Sequence, residues 1–392
     1  MDYIKLNELC EINIGKTPSR NKNEYWGKGF NWLSISDLKE SRISETKEEI
    51  TDIAIKECNM RIVPRNTVVM SFKLSIGKTA ILDKDMYTNE AIANFPIKNK
   101  EVIFPEYLFY ALSTVNFNNT DRAVMGATLN KSKLNEIKIP YCNLENQKKI
   151  VNVLDKSQEL INKRKEQIEA LDELVKSKFI EMFGNPVRNE KGWSKEICKS
   201  ISFKIGSGAT PKGGNSSYKD EGISLIRSMN VHNNKFVNKD LAFIDDEQAE
   251  KLKNVTIEHN DVLLNITGAS VARCCTVPDK YIPARVNQHV AIIRCNDNLI
   301  LPKFLEYQLT NKNYQRLLWD IATSGGATRE AITKQQIENL ELIVPELEVQ
   351  NKFVDFVKQV DKLKFELEKS LKELEDNFNS LMQRAFKGEL FQ

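Results

Sequence analysis

Histidine is scarce in this chain of 392 residues: only His232, His259 and His289 occur, and none stands with cysteine at the spacing of a zinc site. The seven cysteines include no Cys-x-x-Cys pair, and Cys274 and Cys275 are adjacent. Free thiols in a core are therefore expected, and no metal ligands. Apolar runs of about 18 residues are lacking, as is an apolar leader at the start, so the expectation is a cytoplasmic protein without a membrane span. A strong charge bias is missing too. With 57 Lys and Arg against 54 Asp and Glu, the net charge of +3 permits nucleic-acid binding without demanding it.

Complete catalytic signatures are also absent. Gly77-Lys78-Thr79 matches the tail of a phosphate-binding loop, but Phe72 occupies the position of its first glycine, so a strand turn is the better reading. Asp245-Asp246-Glu247 has no constellation around it that would hold a cation and reads as a solvated helix start. Scattered Ser, His and Asp establish no triad. The chain reads as a noncatalytic protein.

What is present is a folded composition, 41% hydrophobic and 28% charged, in a chain too long for one core. It is organised as a repeat. Gly15-Lys16-Thr17-Pro18 returns as Gly208-Ala209-Thr210-Pro211, and Gly29 before Trp32-Leu33-Ser34 returns as Gly222 before Leu225-Ile226-Arg227, both displaced by 193 positions. Asn66-Thr67-Val68-Val69-Met70 recurs as Asn260-Asp261-Val262-Leu263-Leu264, and Asn89-Glu90-Ala91-Ile92 as Asn287-Gln288-His289-Val290. Each half closes on Gly-Ala-Thr, at 126 to 128 and 326 to 328, followed by Ile139-Pro140 or Val344-Pro345. So long an ordered series marks a duplication.

Each Pro introduces a long helical pattern. In the first, apolar residues fall at Ile150, Leu154, Ile161, Ile168, Leu171, Val175 and Met182; in the second, at Phe353, Val357, Val360, Leu367, Leu371, Leu374, Phe378, Leu381 and Ala385. Alternating steps of three and four, interrupted by Ser157, Arg164 and Lys178 in the first and by Lys364 in the second, make these coiled-coil seams. A helix from Leu144 to Phe183 spans roughly 60 Å at 1.5 Å per residue, too long for one small core. Gly184-Asn185-Pro186 terminates it, and Lys387-Gly388-Glu389 ends the second. Antiparallel pairing of the two would cover both seams, with the globular parts at opposite ends and an internal pseudo-twofold symmetry. Strand patterns at Thr67–Met70 and Asp261–Leu264 alternate with helices opened by Pro105 and Pro302. The expected fold is thus α/β: two similar mixed domains at 1–140 and 185–345, with spacer helices at 141–184 and 346–392.

The paired Gly-Ala-Thr elements, with Leu144-Glu145-Asn146-Gln147 and Leu347-Glu348-Val349-Gln350 opening the helices, resemble the specificity subunits of type I restriction-modification systems, HsdS-like, over essentially the whole chain. That family often carries Glu directly before the Gln, where Asn146 and Val349 stand here. The resemblance implies two target recognition domains that read an asymmetric bipartite site in double-stranded DNA. It further implies two methyltransferase subunits using S-adenosylmethionine, and restriction subunits using ATP and Mg2+, with no cofactor in this chain. Asn185-Pro186-Val187 fails the Asn/Asp-Pro-Pro-Phe/Tyr loop of an adenine methyltransferase and reads as a domain boundary. The competing reading is a noncatalytic coiled-coil scaffold outside such a system, distinguished by absence of specific DNA binding.

DNA recognition needs cations for phosphates and oriented side chains for base edges. Arg20, Lys22 and Lys28 accompany the first GKTP turn; Lys212 and Lys219 accompany GATP. Ser34 and Arg227 follow equivalent strands, where a short hydroxyl and a bidentate guanidinium would suit two different half-sites. Lys73, Lys78, Arg122, Arg273, Arg285 and Arg329 lie near other repeated turns and are phosphate candidates. The first long helix carries eight basic and eight acidic residues, a balance that suits a spacer facing protein partners.

Overall fold

The computed structural model describes residues 1–115, 117, 121–123, 126–211, 213–324 and 330–391. They form two compact units, one from Met1–Lys165 with Lys369–Gln392, the other Glu166–Glu368. Both are mixed α/β and are built on one plan.

In the first unit a five-stranded sheet runs in the order Asn13–Ile14, Ile92–Phe95, Val68–Ser71, Thr79–Leu82, Arg42–Ile43. Its inner strands are buried on both faces, which is why Val68-Val69-Met70 reads as an unbroken apolar run instead of an alternating one. A second sheet places Trp26–Leu33 between Glu48–Ile50, antiparallel, and Tyr87–Thr88, parallel. Asp2–Lys5 pairs with Lys138–Tyr141. The second unit repeats this: Ser202–Ser207, Val290–Cys295, Val262–Asn265 and Cys274–Thr276 form the first sheet in the same order. Ile223–Ile226 lies between antiparallel Ala242–Ile244 and parallel Ala284–Val286, and Lys195–Ile197 pairs with Glu341–Ile343. Strand order, which the sequence did not reveal, is thus duplicated along with the motifs. The helices Pro105–Ser113 and Pro302–Thr310 both start on proline, as expected.

The long helices are Leu144–Phe183 and Leu347–Lys387, and Gly184 and Gly388 follow them with φ of +73° and +82°. Each helix gives its two halves to different units. In the first unit Ile150, Val151 and Leu154 share a core with Ala385 and Phe386, and Lys165 pairs with Glu375 at 2.9 Å. In the second, Val175, Phe179 and Phe183 share one with Phe353, Val357 and Val360, and Asp172 meets Lys364 at 2.5 Å. Rising numbers on one helix meet falling numbers on the other, so the packing is antiparallel. Ile161 is buried, whereas Ile168, Leu171, Leu367, Leu371, Leu374 and Phe378 are half-buried, Leu171 and Phe378 at the margins of the two domain cores. The seam read from sequence missed Phe179 and Phe183, which are fully buried, and included Met182, which is only half-buried.

A buried glutamine fixes the start of each helix. Gln147 Nε2 donates to the carbonyls of Val102 and Cys142 at 2.8 and 2.9 Å. Gln350 Nε2 donates to Leu299 and Pro345 at 3.0 and 2.7 Å, while its Oε1 accepts from the Leu301 amide. Both side chains are inaccessible to solvent, so these carbonyls replace water as partners of the two amide nitrogens, while Gln147 Oε1 is buried without a partner.

The repeated glycines mark close backbone approaches. A β-carbon on Gly15 would sit 2.1 Å from the Thr88 carbonyl oxygen, and one on Gly208 1.6 Å from that of Val286. No side chain fits there without separating the strands. Gly208→Ala is expected to destabilise the chain by about 2 to 3 kcal/mol through overpacking. Gly206→Ala, with nothing within 4 Å of the new carbon, should stay within about 0.5 kcal/mol. Urea denaturation of the two variants measures the difference.

Candidate nucleic-acid interface

The same hydrogen-bond lattice gathers the repeated turns in each unit. In the first, the Lys16 amide donates to Thr88 O at 2.9 Å, the Asn89 amide to Leu33 O at 2.9 Å, and the Phe72 amide to Ala91 O at 3.0 Å. The Leu129 amide, just past Gly-Ala-Thr, donates to Phe72 O at 2.9 Å. In the second, Asn287 donates to Ile226 O at 3.1 Å, Ile266 to His289 O at 3.0 Å, and Ile332 to Ile266 O at 2.8 Å. Asn89 and Asn287 each fold their side chain onto the amide two residues ahead, Ala91 or His289, forming matched turns. The residue after the central strand, the Asn turn and the hairpin loop thus share one neighbourhood in each unit; the GxTP turn joins it through the Lys16 bond in the first and through the close approach of Gly208 to the Val286 carbonyl in the second.

Side chains differ on this common frame. Ser34 Oγ donates to Asp37 Oδ2 at 2.7 Å and contacts Ser36 Oγ at 2.8 Å. Arg227 is half-buried; its guanidinium donates to the Asp240 carbonyl and lies 5.3 Å from the Tyr218 ring centre, while Nε is buried without a partner. Each backbone amide is caught by the residue three ahead, Asp37 or Asn230, so the two side chains start from equivalent turns. Glu90 and Gln288, the next residues of the Asn turns, are exposed. Sequence reading matched those turns but did not single out this pair. Carboxylate and amide are base-edge partners of different kinds, which was the available signal.

The cations are placed unevenly. Arg20 forms a two-pronged pair with Glu48, with one contact at 2.9 Å, and stacks 3.8 Å over Trp26; the Glu48 bond holds its pKa above the usual value. Lys22 bonds Tyr25 Oη at 2.7 Å and Glu57 at 3.0 Å, and those bonds raise its pKa, with Tyr25 contributing most. Lys219 pairs with Asp245 at 3.4 Å. Lys28 and Lys78 are exposed, Lys73 and Arg273 half-buried. Arg285 is buried instead: Nε donates to Ala249 O at 3.0 Å and a terminal nitrogen to Ala284 O at 3.1 Å, and burial lowers its pKa. A guanidinium so enclosed serves the sheet and cannot meet a phosphate without unpacking it. Arg122 falls in the strand Asp121–Ala123 with its side chain outside the described residues, as are Lys212 and Arg329.

Catalytic alternatives gain nothing from the geometry. The Gly77 amide donates to Ser71 O at 2.9 Å and the Lys78 amide to Ser71 Oγ at 3.1 Å, so both close a hairpin and leave no cradle for phosphate. Asp245 caps the helix Asp246–Lys251, accepting from the Gln248 amide at 2.9 Å. Among the described residues no group of three or more His, Cys, Asp or Glu is placed to hold a metal, and no helix is long and apolar enough to cross a membrane.

The family model for the type I restriction modification DNA specificity domain matches residues 1–170 and 191–376. Over 416 aligned residues the chain is 27% identical to the Type I restriction enzyme MjaIX specificity subunit of Methanocaldococcus jannaschii, covering 99% of this chain and 93% of that protein. The Type I restriction enzyme EcoR124I/EcoR124II specificity subunit of Escherichia coli is 26% identical over 172 residues, 41% of this chain and 42% of that protein. Of solved structures, a chain from work on complex assembly and conformational transition of the type I R-M system superposes with a TM-score of 0.60 at 18% identity, covering 99% and 98% of the two chains. The type I restriction-modification S subunit from M. genitalium gives 0.52 at 13% identity, covering 98% and 96%. At these identities the two structures show a shared fold.

Replacing Arg227 by alanine is expected to weaken binding of one half of a divided DNA site by roughly 1 to 3 kcal/mol while sparing the other half. Competition binding with each half varied separately reads this out. Equal loss on every sequence would instead place Arg227 on phosphates or in folding.

Proposed function

Because the chain belongs to the type I restriction-modification DNA specificity family, we propose that it is the noncatalytic subunit that reads an asymmetric, two-part sequence in double-stranded DNA for such a complex. The observation that carries this is the duplicated frame with divergent side chains: Ser34 against Arg227 and Glu90 against Gln288. One scaffold built twice presents two sets of donors and acceptors, as two different half-sites require. Residues 1–140 and 185–345 act as target recognition domains, and the helical segments 141–184 and 346–392 as spacers that set the gap between half-sites.

Phosphate contacts fall to the exposed cations, Lys28 and Lys78 first. Arg20, Lys22 and Lys219 are held by carboxylates, so each must exchange an existing pair for a phosphate and gains less by doing so. Lys73 and Arg273 flank the hairpin loops and join this set. Ser34 and Arg227 are the base-reading candidates, each released from its internal bond on docking.

Chemistry belongs to the partners. Two methyltransferase subunits bring S-adenosylmethionine and meet the exposed faces of the helices, whose balanced charge suits protein contact better than DNA. Restriction subunits bring ATP and Mg2+. Methylation mapping in cells with and without this gene tests the assignment: a paired motif modified only when the chain is present is expected. An unchanged methylation map in a strain with active partners would contradict it, as would methyl transfer or DNA cleavage that follows the isolated chain through stringent purification.

A further inference from the structure

Eight non-glycine residues of the described chain have positive φ, and six are Asn or Asp, the types that tolerate that region. The other two are Ala272, which is packed in a core, and Leu74, whose φ is +62° and whose side chain is 64% exposed. Leu74 thus combines a backbone conformation disfavoured by its own β-carbon with an apolar side chain that packs little in return. The equivalent place in the second unit, in the loop after Ile266, is Gly268, with φ of +66°. The fold asks for glycine here, and the first unit carries leucine.

The loop's surroundings say what such a side chain meets. Leu74 follows Phe72, which is bonded to Ala91 of the Asn turn and to Leu129 beyond Gly-Ala-Thr, so the loop belongs to the neighbourhood that gathers Ser34 and Glu90. Lys73 and Lys78 flank it, and neither has a carboxylate partner within ion-pair distance among the described residues; Lys73 Nζ lies 5.5 Å from the Phe72 ring centre. An apolar tip between two cations that no carboxylate neutralises suits a duplex: phosphates on the cations, and an apolar contact on a base between them.

We infer that Leu74 is a specificity-determining residue of the first recognition domain, making an apolar contact to a base of its half-site. It rests on the DNA-recognition reading above and adds the residue and the kind of contact. The base surface is either a thymine methyl group in the major groove or a base face exposed by partial unstacking. The second unit, with Gly268, lacks this contact, so the two half-sites differ in it.

The test uses the chain assembled with its methyltransferase subunits and duplexes carrying the mapped target. Leu74→Asn keeps the left-handed conformation accessible and removes the isobutyl group; Leu74→Gly is the second variant. Both are expected to bind the first half-site about tenfold more weakly, to keep discrimination at the second, and to retain thermal stability. Replacing each first-half thymine by uracil removes one methyl group; a position where this harms wild type but not Leu74→Asn identifies a methyl contact. A 2-aminopurine signal seen with wild type and lost in the variant identifies insertion at a base step. Unchanged first-half discrimination in both variants overturns the inference, as does loss of methyltransferase co-purification or equal loss on all DNA. If the wild-type complex has no sequence preference, the recognition reading itself falls and takes this inference with it.

Discussion

Every other feature depends on one packing constraint: neither compact unit closes its core without half of each long helix. The second unit sets Phe179 and Phe183 against Phe304 and Phe353, with ring centres 4.8 to 5.7 Å apart. The first closes Ile150 and Leu154 with Ala385 and Phe386. Helix and domain are therefore one structure. Truncating a buried phenylalanine of this kind costs about 3 to 5 kcal/mol, a large share of a typical domain's stability. The buried Gln147 and Gln350 then fix where each helix starts relative to the sheet behind it, turning a hydrophobic association into a defined register.

Much of this was legible in the sequence because local chemistry carries it. The helix limits at Gly184 and Gly388, the proline starts at Pro105 and Pro302, and the paired motifs follow from backbone rules that need only neighbouring residues. What was not legible depends on distant partners. Phe179 and Phe183 continue the spacing from Val175, but only the surrounding domain buries them fully, so a two-helix seam gives no reason to prefer them over Met182. Arg20 and Lys22 look like free cations until folding brings Glu48 and Glu57 to them. Arg285 looks like a surface residue until its strand lies between Ile223–Ile226 and Thr256–Ile257. The candidate readers were partly visible, since Ser34 and Arg227 follow strands, but their internal bonds were not.

Duplication explains how one backbone serves two recognition tasks. The glycines that recur, Gly15 and Gly208, are fixed by contacts to neighbouring carbonyls and say nothing of DNA. The positions that diverge on the same lattice are Ser34 and Arg227, Glu90 and Gln288, and Leu74 and Gly268, the last pair sharing a positive φ but not a side chain. Shared residues therefore report the frame, and differing residues report the message. This division accounts for a chain whose repeat is plain although its two halves carry different side chains at every proposed reading position.

The most direct test of the account is selection of duplexes from a randomised library by the chain assembled with its methyltransferase partners. Two short specified blocks of different sequence, separated by an unspecified gap of fixed length, are the predicted result. A single contiguous block, two identical blocks, or no enrichment would contradict it.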